Sequence, residues 1–281
     1  MAENSKIEWT THTANIWWGC TKVHEGCDNC YAETLANRWG SNVWGNDNPR
    51  RLIKSFFQDL NNFQSVAKKT GEIHRVFVGS MMDIFEKPMP LVNSKGEILP
   101  ETTDYHRQHF FQNISDGIYP NLIFLLLTKR PGNINKYIPE NWKQNPPENV
   151  MFGTSPVNME TMKTLIPQLL KVNGKRFLSI EPQLGEISLR WALWHDYKNK
   201  FKLEQRDGKT VRVKNQYDGV DGIDWIIQGG ESGHHKRPFD LAWAYLLRDQ
   251  CKEAGIPYFF KQIDKIKPIP EDLIIRELPF K

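Results

Sequence analysis

The sequence has no apolar run approaching the roughly 20 residues that a membrane-spanning helix requires, so no span is expected. Its opening residues, MAENSKIEWT, lack the apolar stretch of a secretory leader, and a cytoplasmic protein is expected. Only 4 cysteines occur in 281 residues, too few for a disulfide scaffold. Neither sign of charge dominates: 37 Lys and Arg stand against 33 Asp and Glu, for a net charge of +4. Such a balance permits a phosphate-bearing partner without demanding one. Phosphate-binding P-loops, dinucleotide fingerprints, internal repeats and low-complexity tracts are all missing, so those nucleotide-binding and repeat classes are excluded. What remains is a soluble globular composition, 39% hydrophobic and 25% charged, with enough chain for a substantial core.

What is present alternates. Short apolar runs at 76–78, 123–127, 150–152, 176–180, 225–227 and 258–260 have the composition of strands buried on both faces. A further strand is expected at 14–18. Between them, residues 29–39, 49–67, 101–118, 158–172 and 239–254 carry helical periodicity. In the last, Asp240 is the expected N-cap and Gly255 the stop. Strands alternating with helices predict a parallel sheet. Six or seven such units predict one domain over residues 1–281 built as a partial (β/α)6–7 TIM-like barrel. Residues 194–221 break the pattern, and KLEQRDGKTVRVK within them reads as a hairpin turning at Asp207-Gly208, a surface insertion.

A parallel barrel carries its site at the C-terminal ends of its strands. Those ends read Gly79-Ser80 with Asp83, Thr128-Lys129-Arg130, Gly153-Thr154-Ser155, Glu181-Pro182, Gln228 to Ser232, and Lys261-Gln262. Nearly all are polar, charged or glycine. Lys129 and Glu181 are alternatively an ion pair across the barrel mouth.

The chemistry is concentrated in WWGCTKVHEGCDNCYAE, where Cys20, Cys27 and Cys30 form C-x6-C-x2-C. Three thiolates in a loop after a strand suit a soft metal centre. One reading is a closed Cys3His zinc site completed by His24 or His12, in a non-catalytic barrel that binds nucleic acid or a protein. The other is an iron–sulfur cluster with one iron left open. Cys251 lies among apolar positions of the 239–254 helix and reads as a buried small hydrophobe. His234-His235 reads as an exposed loop pair and Met81-Met82 as packing.

Three cysteines after the first strand, the last followed by Tyr31-Ala32, resemble the cluster loop of radical S-adenosylmethionine enzymes, in particular the spore photoproduct lyase-like branch. The loop is three residues longer than the commonest C-x3-C-x2-C form. SKIEWT, VFVGSMMDIF, LLLTKRPGN, MFGTSP, SIEPQLG, QGGESG and PYFFKQ together resemble, in order, a phage-associated family of unknown function with a three-cysteine motif. The resemblance implies that Cys20, Cys27 and Cys30 bind three irons of a [4Fe–4S] cluster whose fourth iron chelates S-adenosylmethionine. It implies Tyr31 beside the adenine and Gly79-Ser80 near the methionine amino group. Asp83, Lys129, Thr154, Ser155 and Glu181 become candidate cofactor contacts, with Gln228, Glu231 and Lys261 on the substrate side. A flavodoxin- or ferredoxin-like reductant is implied, and a nucleotide or nucleic-acid substrate is the leading candidate.

Overall fold

The computed structural model describes residues 5–189, 201–206, 209–214 and 222–280. Seven strands make the main sheet: β1 (His12–Ala14), β2 (His74–Val78), β3 (Leu122–Thr128), β4 (Val150–Thr154), β5 (Lys175–Ile180), β6 (Trp225–Gly229) and β7 (Tyr258–Gln262). They pair in sequence order and every pair is parallel. The sheet curls into an open half-barrel. The six apolar runs from 76–78 to 258–260 are all strands of this sheet, because a run buried on both faces has few other places to go.

Alternation along the strands divides the core in two. Val76, Phe124, Leu126, Phe152, Leu178 and Ile226 belong to the larger core, which also takes up helix residues such as Phe63, Phe110 and Ile166. Phe77, Leu125, Met151, Phe177, Ile227 and Phe259 point inward and pack with Trp9 and Trp225. The Trp9 ring lies 4.8 Å from Phe77 and 6.2 Å from Trp225. Aromatics therefore fill the inside of the half-barrel below the ends of its strands.

The longer helices among the described residues are α1 (Tyr31–Arg38), α2 (Phe56–Thr70), α3 (Thr103–Ser115), α4 (Met159–Leu169) and α5 (Leu241–Ala254). Asp240 caps α5 by accepting from the Ala242 N–H, and Gly255 ends it at φ 67°, both as expected. Asn158 and Thr161 close a capping box on α4.

Two expectations are corrected. The helix expected at 49–67 starts only at Phe56, because Arg50–Leu52 is a strand. Leu52 falls at helical spacing from Phe56 but pairs with Trp17. The strand expected at 14–18 splits after Ala14: the Asn15 side chain accepts from the Met81 N–H at 2.7 Å and donates to Ser80 at 2.8 Å. Beyond it, Trp17–Trp18 joins a second sheet with Arg50–Leu52, Pro90–Val92 and Ile98–Thr102, which the sequence pattern did not reveal. In the insertion, Phe201–Arg206 and Lys209–Lys214 pair antiparallel, with Arg206 opposite Lys209. The expected turn, Asp207-Gly208, lies outside the described residues. No helix among the described residues is long and apolar enough to cross a membrane.

His12 is removed from the candidate ligands. It is buried in β1, stacked on Phe63 at 3.9 Å, and its Nε2 lies 2.9 Å from His74 Nδ1. Burial, and then the proximity of His74, bring its pKa down to about 4. Folded His12 thus stays neutral at pH values where the unfolded chain binds a proton. Stability is expected to fall by about 1.4 kcal/mol per pH unit from this group as pH drops from 6.5 towards 4. Urea unfolding at pH 7 and 5 checks it: His12→Gln should flatten that slope, and an unchanged slope would refute the assignment.

Candidate functional site

The cysteine loop is held in place at several points. Gly19 adopts φ 119°, and a Cβ there would lie 2.3 Å from the Val43 carbonyl oxygen, so only glycine fits. Its N–H donates to the Met81 carbonyl at 3.0 Å, which docks Cys20 against the segment following β2. The His24 ring then caps the turn at Glu25–Cys27, Nδ1 accepting from the Gly26 N–H at 3.1 Å. Cys30 sits at the N-cap of α1, at the positive end of that helix.

The three thiols are free and half-buried. They share a cavity of about 370 Å³ with Tyr31, Gly79, Ser80, Asp83, Lys129, Ser155, Glu181, Glu231 and Lys261. Two of the candidate residues are not brought there. Thr154 is fully buried, donating to the Thr128 carbonyl at 2.8 Å. Gln228 is fully buried against α5, bonded to Gln183 at 2.5 Å, to the Trp243 carbonyl at 3.1 Å and to the Tyr258 hydroxyl. The cause is strand parity. Phe77 and Gly79, Leu127 and Lys129, Ser179 and Glu181, and Phe259 and Lys261 keep the inward register, whereas Thr154 and Gln228 are one residue out of step.

Several side chains in the cavity wall are already committed. Asp83 accepts from Thr128 Oγ1 at 2.7 Å, from the Phe85 N–H at 3.0 Å and from Arg130 at 2.7 Å. It is a brace for Arg130 rather than a free ligand contact. Arg130 in turn donates to the Thr21 carbonyl at 2.6 Å and to Cys20 Sγ at 3.7 Å. Beneath lies Arg50, paired to both oxygens of Glu86 at 2.9 and 2.8 Å and donating to Thr21 Oγ1 at 2.9 Å. Neither arginine figures among the site candidates above. Arg130 was legible as a polar residue at a strand end; Arg50 had no sequence signal.

Glu231 is likewise occupied. It accepts from Asn29 at 3.0 Å and from Arg237 at 2.6 and 3.0 Å, while Arg237 donates to the Glu25 carbonyl at 3.1 Å. Burial opposes ionisation, but the Arg237 and Asn29 hydrogen bonds outweigh it and hold the carboxyl below its ordinary value. This latch ties the segment after β6 to the cysteine loop. The expected Lys129–Glu181 pair is replaced by Lys261–Glu181, at 3.1 Å. Ser155 Oγ is buried with no hydrogen-bond partner, so it is available to a ligand.

Burial, then Asp83, push the Cys20 thiol up to about 12, with Arg130 acting against them. Ionising it calls for a further cation, and a metal that displaces the proton supplies one. Cys251 is fully buried in α5, as expected, and burial raises its pKa. His24 Nε2 is buried without a partner, and burial, then the charge of Lys129, lower its pKa to about 4. Among the described residues, no three His, Cys, Asp or Glu side chains are gathered around a single-ion position. His234 and His235 are exposed, and Met81 and Met82 are buried in packing.

A family described as "Protein of unknown function (DUF5131)" matches residues 4–271. The chain belongs to the DUF5131 family. No curated protein and no solved structure matches it. The DUF5131 match spans all seven strands and every cavity residue named above.

Proposed function

We propose that this protein is a radical S-adenosylmethionine enzyme in a TIM-type partial barrel, with Cys20, Cys27 and Cys30 as the ligands of a [4Fe–4S] cluster. The observation that carries the reading is the placement of three free, half-buried thiols after the first strand of a sequential parallel half-barrel, on one cavity with the polar strand ends. The donor set suits the group, since thiolates are the ligands iron–sulfur clusters take and three leave one iron open. Held by Cys20, Cys27 and Cys30, such a cluster would supply the electron for reductive cleavage of S-adenosylmethionine to methionine and a 5′-deoxyadenosyl radical, the chemistry by which a hydrogen atom would be abstracted from the substrate.

The chain's own residues bind and orient. Ser155 offers an unused hydroxyl, and the Glu181–Lys261 pair offers a carboxylate and an ammonium on the same wall. Lys129 adds a cation with no carboxylate at ion-pair distance among the described residues. Tyr31 is fixed by donating to the Ser80 carbonyl at 2.8 Å, and Gly79 lines the cavity with no side chain to fill it. Phe77, Trp9 and Leu127 also line the cavity and exclude water from that side, as radical chemistry requires. The substrate class we favour is a nucleotide or nucleic acid, and the electron donor a flavodoxin- or ferredoxin-like protein in a reducing cytoplasm.

The alternative, a structural Cys3His zinc site, has less support. His24 spends Nδ1 on capping its own turn and is not a cavity residue. Anaerobic reconstitution separates the two. About four irons per chain are expected, with an EPR signal of the reduced protein that changes on adding S-adenosylmethionine. One tightly held zinc and no response to the cofactor would overturn the proposal.

A further inference from the structure

The aromatic residues around the cysteine loop are not all used by the cavity. Trp39, directly after α1, is 67% exposed. Its ring centre lies 5.7 Å from that of Trp18, and the Arg51 guanidinium stands 4.3 Å over the Trp18 ring. Arg51 is oriented from two sides: it pairs with Trp18 across the second sheet and donates to Ser41 Oγ at 2.8 Å. Arg38, beside Trp39, and Lys54, three residues past Arg51, are exposed. Among the described residues, none of these three cations has a carboxylate within ion-pair distance.

The patch is continuous with the cavity wall. Trp18, Cys20 and Cys30 pack on one small apolar cluster containing Ala32, Trp44 and Met81, and those three also line the cavity. Tyr31, at the cavity edge, begins α1, and Trp39 follows its last residue. At ~1.5 Å rise per residue the two aromatics are about 12 Å apart along the helix. That is the length of roughly three to four stacked nucleotides.

We propose that Trp39, Trp18 and Arg51 form a stacking platform for single-stranded nucleic acid, leading along α1 past Tyr31 to the cavity. The exposed Trp39 indole offers a face to any base, half-buried Trp18 with the Arg51 guanidinium over it backs that indole and adds cation–π attraction, and the unneutralised cations meet the phosphates. An apolar protein surface would leave the three cations unpaired, whereas a phosphodiester chain pairs them. The inference deepens the substrate class of the proposed enzyme, but binding itself requires no cluster.

Fluorescence anisotropy of the full chain with labelled dT12, rU12 and a 12-base-pair duplex tests it. Both single strands should bind, more tightly than the duplex. The slope of log K against log salt should be about −2, from three phosphate contacts. Trp39→Ala should weaken binding roughly tenfold, and Trp39→Phe should keep most of it. A stronger response with rU12 than with dT12 would support an RNA substrate, and the reverse a DNA one. No binding of either strand would overturn the proposal. So would duplex binding of equal strength that Trp39→Ala leaves unchanged. Iron loading, measured on the same preparation, keeps the two proposals apart. Binding by protein that cannot hold iron would overturn the radical reading alone; loaded protein that binds no oligonucleotide would overturn this one alone.

Discussion

Cys30→Ala is expected to take reconstituted protein from about four irons per chain to below one, with loss of its brown colour, while Cys251→Ala leaves both unchanged. Among the described residues, no further cysteine is at hand to replace Cys30: Cys251, the fourth, is fully buried in α5. His12 is in the core at β1, and His24 spends Nδ1 on its own turn. A cluster bound through three protein thiolates has none to spare, so the loss should be close to complete rather than graded. Iron and sulfide assays with visible absorption read the outcome. Equal iron in Cys30→Ala and the unaltered chain would remove Cys30 from the ligand set and the cluster with it.

Arg50→Met is expected to cost about 3–5 kcal/mol, because it leaves the Glu86 carboxylate buried without its bidentate partner. Arg50 is fully buried and also donates to the carbonyls of Val43, Gly45 and Asn48 at 2.9, 3.0 and 2.8 Å. For a chain of this size the melting temperature should drop on the order of 10 °C. Arg130, 3.7 Å from Glu86, offsets part of the orphaned charge. Replacing both partners, Arg50→Met with Glu86→Leu, should recover some of the loss, since no buried charge is then stranded. Thermal unfolding followed by circular dichroism decides it. A melting temperature for Arg50→Met within a degree or two of the unaltered protein would mean that the network does not brace the loop.

The two networks explain why the site was only partly legible. Asp83, Glu231 and Lys261 looked alike in sequence, as polar residues after buried strands. Their roles diverge in the fold: Asp83 braces Arg130, Glu231 latches the cysteine loop, and Lys261 pairs with Glu181. Thr154 and Gln228 show a different limit. Counting inward positions from Met151 and Ile227 by twos would have placed both on the outer face, because side chains alternate along a strand.

By itself the sequence determined the local and periodic features. Buried-strand runs, amphipathic helices, the Asp240 cap and the cysteine spacing each depend on residues a few positions apart, where backbone preference and burial act directly. Those features specify a parallel α/β sheet with a thiol-rich loop at the end of its first strand. Tertiary structure decided what long-range pairing alone decides. It turned the chain at Asn15 into a second sheet and matched Asn29 with Glu231 across 202 positions. It also left Trp39 exposed beside Trp18 while burying Trp9 and Trp225. A charge or an indole reads the same in sequence whether it ends beside a partner, in the core or in water. Only the packed chain distinguishes them, because the energies that separate those fates arise from desolvation and from neighbours far away in sequence.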